Sequence, residues 1–178
     1  MRSEPHRPRT WPRSCSVALA AVMALAAPAG AETLVDAYGL GTHAPRPEVW
    51  TKIDDTLSVR AQIRDAEGRP VDHARRGAVL RLGLDAFVQP GAADRPLALS
   101  CAISFYDADG RAAPGSDTVP CYAGRLAAGT GRFRPLDLDF RFRNTAGDPA
   151  GTAAVVVRVT DTGTGEGITL APTYRLED

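Results

Sequence analysis

The sequence predicts an all-β fold: a single antiparallel β-sandwich of about seven to nine strands, standing behind a cleaved N-terminal export signal. Two observations predict the sheets. Apolar and polar residues alternate with period two through six segments of the chain. The 17 glycines and 14 prolines interrupt the chain so often that no apolar stripe at helical spacing runs over ten or more residues. A third observation predicts the compartment, because residues 1–31 read as a secretory signal.

In chain order, Arg2, Arg7, Arg9 and Arg13 form a basic segment, and Val17 to Ala27 form an apolar run of 11 residues. That run is short of the roughly 20 residues a membrane span needs. Ala29-Gly30-Ala31 places small residues where a signal peptidase reads them, so cleavage is expected before Glu32. Cys15 leaves with the signal and follows no lipobox. No second apolar run is long enough to cross a bilayer. The expected location is therefore periplasmic or secreted. The signal has no twin-arginine pair, which argues for export as an unfolded chain and against a cofactor loaded before export.

Residues 32–47 form an N-terminal arm and a linker containing Pro45 and Pro47, and residues 48–178 form the sandwich domain. Within the arm, Thr33 to Leu40 reads as a short strand able to pair with the domain's own sheet or a partner's. Val49 to Ile53 reads as another short strand. Leu57, Val59, Ala61 and Ile63 then alternate with Ser58, Arg60, Gln62 and Arg64. Leu80, Leu82 and Leu84 do the same, as do Leu97, Leu99, Cys101, Ile103 and Phe105. Val119 to Ala123 is a shorter candidate. Leu136, Leu138, Phe140 and Phe142 share one parity, followed by Val155, Val157 and Val159, and then Ile168, Leu170, Tyr174 and Leu176. Half-buried antiparallel strands produce this pattern.

Two turns repeat: Asp65-Ala66-Glu67-Gly68-Arg69 and Asp107-Ala108-Asp109-Gly110-Arg111 each follow a strong strand. Gly68 and Gly110 supply the positive φ of a tight turn, and the leading aspartates cap it. Strand, Asp-x-[Asp/Glu]-Gly-Arg turn, strand resembles the hairpins of bacterial immunoglobulin-like domains, and the resemblance covers these two hairpins. It implies an immunoglobulin-like sandwich and no particular ligand. The antibody pattern is absent, since no Trp lies among the 19 residues between Cys101 and Cys121. Two thiols left in one small exported domain read as one disulfide, Cys101–Cys121, closing a loop of about 20 residues worth about 3 kcal/mol.

Composition narrows the function. The first 31 residues take four arginines and one glutamate from the chain's 21 basic and 21 acidic residues. That leaves 17 basic, 20 acidic and a net charge of −3. Such a balance argues against nucleic acid and against a basic membrane-surface patch. Lys52 is the one lysine against 20 arginines, which reflects coding bias. Met1 and Met23 both precede residue 32, so thioether ligands are absent after cleavage.

Motifs for chemistry are weak. Asp107, Asp109 and Asp117 are the best carboxylates for calcium, but an EF-hand beginning at Asp107 meets Ala112 and Thr118 where Gly and Glu are needed. His43 and His73 have no ligand spacing and read as exposed loop residues. There is no Gly-x-Ser-x-Gly elbow or Ser-x-x-Lys, and Ser116 reads as a loop serine. Asp137 and Asp139, beside Arg141 and Arg143, read as a solvated sheet face rather than a catalytic pair. Gly163, Gly165 and Gly167 read as a hairpin tip rather than a phosphate loop. Recognition surfaces remain, and Trp50 and Tyr38 are the aromatic anchors available for one.

The expectation is a non-catalytic exported domain with no cofactor, which binds a protein partner in the cell envelope or medium by edge-strand or loop contact. The alternatives are a small-ligand or carbohydrate module using Trp50 and loop acids, and, behind it, a carboxylate-dependent hydrolase.

Overall fold

A computed structural model describes residues 31–90, 96–113, 117–126, 132–138 and 140–178. Residues 1–30, which hold all but the last residue of the expected export signal, together with Ser116, Asp139 and the side chain of Asp117, lie outside the described residues.

The strands fall in two sheets that face each other. The first holds β1 (Glu48–Lys52), β2 (Leu57–Arg64), β4 (Val79–Val88) and β7 (Arg134–Pro135) in the order β1-β2-β4-β7, with β8 (Phe140–Arg143) also on β4. The second runs β3-β11-β9-β5-β6, from β3 (His73–Arg75), β11 (Thr173–Glu177), β9 (Gly151–Asp161), β5 (Pro96–Tyr106) and β6 (Asp117–Arg125). The short β10 (Gly167–Leu170) also pairs with β9. All pairings are antiparallel except β3 with β11.

Alternation sets which faces meet. Leu57, Val59, Ala61 and Ile63 of β2, and Leu80, Leu82 and Leu84 of β4, point into the sandwich. They pack against Leu99, Cys101 and Ile103 of β5 and Val155, Val157 and Val159 of β9, all buried. Burying a side chain of this size contributes about 1.5–3 kcal/mol, so the period-two pattern is also the main source of stability.

Two expected strands divide, and one unforeseen strand appears. Around Leu136 the chain leaves β4 and returns, so β7 and β8 occupy one edge of β4 in succession. Pro172 lacks an N–H and separates β10 from β11 along β9. The short β3 carries His73, which the sequence placed in a loop.

The arm is a correction. Thr33 to Leu40 is not a strand; it belongs to a helix, α1 (Ala31–Tyr38), and its terminus. Gly39 sits at φ 65° just past the helix, and the Leu40 N–H reaches back to the Val35 carbonyl at 2.9 Å. That six-to-one bond is a Schellman stop, with Leu40 folding onto Val35. Leu40 is fully buried on the outer face of β9 against Ala154 and Val156, with Tyr38 and Tyr106 beside it. The arm then pairs with its own sheet, since Gly41 and Thr152 exchange backbone bonds of 2.9 and 2.7 Å. A Cβ on Gly151 would lie 2.9 Å from the Gly41 carbonyl oxygen, so this crossing needs a glycine.

Cys101 and Cys121 form a disulfide with both residues buried. It links neighbouring strands of one sheet, at the register shift between Leu99 and Ser100, and so staples the outermost strand β6 to β5. Among the described residues no helix is long and apolar enough to cross a membrane.

Candidate functional site

The outer face of the β1-β2-β4 sheet carries the most organised polar chemistry of the molecule. Its residues are those of polar parity: Glu48, Trp50 and Lys52 on β1; Ser58, Arg60, Gln62 and Arg64 on β2; and Arg81, Gly83 and Asp85 on β4. Register places Trp50, Arg60, Asp85 and Pro135 in one row across four strands.

Asp85 is the hub. Its side chain is only 2 % exposed, whereas those of Arg60 and Arg64 are 26 % and 23 % exposed. Arg60 donates from Nε at 2.9 Å and Nη2 at 2.6 Å to Asp85 Oδ2, and Arg64 Nη2 adds a bond of 3.0 Å to the same oxygen. Arg64 Nε donates to Gln62 Oε1 at 3.0 Å, and Gln62 Nε2 donates to Glu48 Oε2 at 2.7 Å. Glu48 also faces Arg60 Nη1 at 3.6 Å. A carboxylate this deep is tolerated because two guanidinium groups and their forked donors satisfy it. Gly83 makes room for this, since a Cβ there would stand 2.6 Å from Arg64 Cζ. Phe133 lies under the Arg60 guanidinium, 4.7 Å from carbon to ring centroid, and Phe87 lies 5.9 Å from Phe133.

Beside this rigid lattice Trp50 is 61 % exposed, the large exposed hydrophobic side chain among the described residues. It stands on β1, the outermost strand of its sheet, as the cross-strand neighbour of Arg60. The arrangement offers a flat indole, a guanidinium held in one orientation and an adjacent sheet edge. Those are the parts of a recognition surface.

The other sequence candidates lie elsewhere. Tyr38 is half-buried on the opposite sheet, its ring 5.6 Å from that of Tyr106, so Tyr38 and Trp50 do not share a surface. Asp107 caps its own turn, with Oδ1 accepting from the backbone N–H groups of Asp109 and Arg111 at 2.9 Å each. Asp109 pairs with Arg111 at 3.2 Å. Asp65 accepts from the Arg69 N–H in the same way, and Gly68 and Gly110 take φ of 85° and 78°. Among the described residues no group of three or more His, Cys, Asp or Glu side chains could hold a metal ion. Asp137 is exposed in the irregular stretch between β7 and β8. His73 Nδ1 lies 2.8 Å from Asp72 Oδ1, and that hydrogen bond holds the Asp72 carboxyl below the ordinary carboxylate range.

Two groups escaped sequence reading. Asp85 is the one acid at polar parity on β4, and antiparallel register with β2 brings it opposite Arg60. Tyr174 was placed at core parity, but not its bond: its hydroxyl donates to Asn144 Oδ1 at 2.6 Å. Burial, opposed by that hydrogen bond, pushes the Tyr174 phenol well above its ordinary value.

No family model matches the chain, and no curated protein matches it. Among the solved structures, 21 chains are similar to this one, and two of them illustrate the likeness. One is the Pseudomonas fluorescens alkylpurine DNA glycosylase AlkC bound to DNA containing an abasic site analog, at 15% identity and a TM-score of 0.41. That alignment covers 69% of this chain and 31% of the glycosylase. The other is Spo0M, a sporulation control protein from Bacillus subtilis, at 13% identity and a TM-score of 0.40. It covers 70% of this chain and 51% of Spo0M. This chain therefore spans about a third of the first protein and about half of the second.

Proposed function

We propose that this chain is an exported, non-catalytic, immunoglobulin-like binding domain that presents the Trp50 face and the β1 edge to a protein partner in the cell envelope or medium. One observation carries the reading: Trp50 is exposed on an outermost strand, next to an arginine already fixed by buried Asp85. An ordered arginine beside an exposed tryptophan loses little side-chain entropy on binding, and these two residue types dominate interface energetics. The disulfide and the basic-apolar-small pattern of residues 1–31 support export.

A photo-cross-linking amino acid at position 52, exposed on the same face of β1 and leaving Trp50 in place, tests the reading, with position 164, at the exposed β9–β10 hairpin tip, as control. One discrete conjugate from position 52 and none from position 164 is expected in the native envelope or culture fraction. Equal labelling from both positions, or none from either, contradicts it. The carbohydrate alternative rests on the same indole. After cleavage Trp50 is the sole tryptophan, so its fluorescence would titrate with a sugar ligand and not with partner protein.

A further inference from the structure

We infer that the end of the sandwich where β5 and β8 stop and β9 begins holds a binding cavity for a small, neutral, ring-sized molecule bearing a carbonyl oxygen, recognised by the free amide N–H of Asn144. This inference is independent of the Trp50 surface.

The cavity has a volume of about 210 Å³ and lies between the two sheets where β5, β8, β9 and β11 end. Phe105, Phe142, Ala153, Tyr174 and Leu176 form its apolar wall. The aromatic part is closely packed, with Phe105 and Phe142 centroids 5.0 Å apart and Phe142 and Tyr174 centroids 5.9 Å apart. A cavity of about 150 Å³ accepts benzene, so this one has room for a substituted six-membered ring.

One buried polar group in the wall is unspent. Asn144 is only 8 % exposed, and its Nδ2 has no hydrogen-bond partner among the described residues. Its Oδ1 is already taken by the Tyr174 hydroxyl. An orphaned buried donor costs about 1–3 kcal/mol, a cost that a ligand acceptor would remove. The charged residues of the lining stand at its rim: Arg143 is exposed to solvent, Asp148 Oδ2 accepts from the Thr145 N–H at 2.7 Å, and Asp107 caps its turn. The chemistry of the ligand follows from this inventory. An apolar wall disfavours a charged ligand. Asn144 Nδ2 is a donor and calls for an acceptor. A ketone or lactone oxygen meets it without adding a donor of its own.

Cyclohexanone and methylcyclohexane, of equal heavy-atom count, are suitable probes, followed by NMR on the mature protein. Cyclohexanone is expected to bind saturably, to shift the Asn144 side-chain amide resonances and to give intermolecular NOEs to the Ala153 methyl and the Tyr174 ring. In Asn144→Leu/Tyr174→Phe, which removes donor and dependent hydroxyl together, cyclohexanone affinity should fall about tenfold while methylcyclohexane affinity stays within about threefold. Ala153→Leu, which fills the cavity, should abolish binding of both. The proposal is overturned by water alone in the wild-type cavity with no saturable shift up to the solubility of cyclohexanone. An equal loss for both probes in the double variant, or binding that survives Ala153→Leu, also overturns it. If the variants do not fold, the wild-type NOEs decide by their presence or absence.

Discussion

The two outer faces of the sandwich are finished differently. On the β9 face, Ala154 and Val156 are apolar, and the chain covers them with its own arm: α1 turns at Gly39 and drops Leu40 onto them. On the β1-β2-β4 face the corresponding residues are polar, and they satisfy one another through Asp85. The apolar patch on the first face is already occupied from within. The second is self-sufficient in hydrogen bonds and leaves an indole in solvent. Folding does not require Trp50 to be exposed or large, so the side chain is free to serve the partner contact proposed above.

This contrast can be broken at several points. The largest effect is expected from Asp85→Ala, which strands two partly buried guanidinium groups: a loss of about 3 kcal/mol, read from the urea midpoint at unchanged slope. A loss under about 1 kcal/mol would mean that solvent, not Asp85, satisfies Arg60 and Arg64. Leu40→Ala on the covered face should cost about 2–3 kcal/mol and make the arm more sensitive to protease. Unchanged stability there would show that the arm only rests on β9.

Between the faces, Tyr174 sets an alkaline limit. Its folded pKa is raised, so its contribution is intact below the ordinary tyrosine value of about 10 and is lost as pH climbs past that value toward the folded one. Tyr174→Phe should flatten that part of the stability profile, and an unchanged alkaline slope would refute the assignment. The smallest effect on folding belongs to Trp50→Ala, within about 0.5 kcal/mol, although the same change should abolish the conjugate formed from position 52.

Much of the fold was legible because alternation and burial report the same physics. Leu57 to Arg64 and Leu97 to Phe105 read as strands, and their apolar parity is the buried one. The arm was misread because a run as short as eight residues suits a strand or one short helix equally. Two signals pointed the other way: Gly39 as a helix stop, and Val155-Val156-Val157, an unbroken apolar run that means both faces of β9 are covered. Trp50 was visible as a candidate, but its exposure depended on β1 being outermost, which is a matter of strand order. The Asp85 hub and the Asn144–Tyr174 bond depend on register and on contacts about 25 and 30 residues apart, which no local pattern encodes.

Chemical modification of Trp50 tests the open face most directly. A tryptophan-selective reagent applied to purified residues 32–178 should modify Trp50 to completion. Applied to the protein in its native envelope or culture fraction, it should leave most of Trp50 intact if the proposed partner covers it. Equal and complete modification in both settings would contradict a partner on this face.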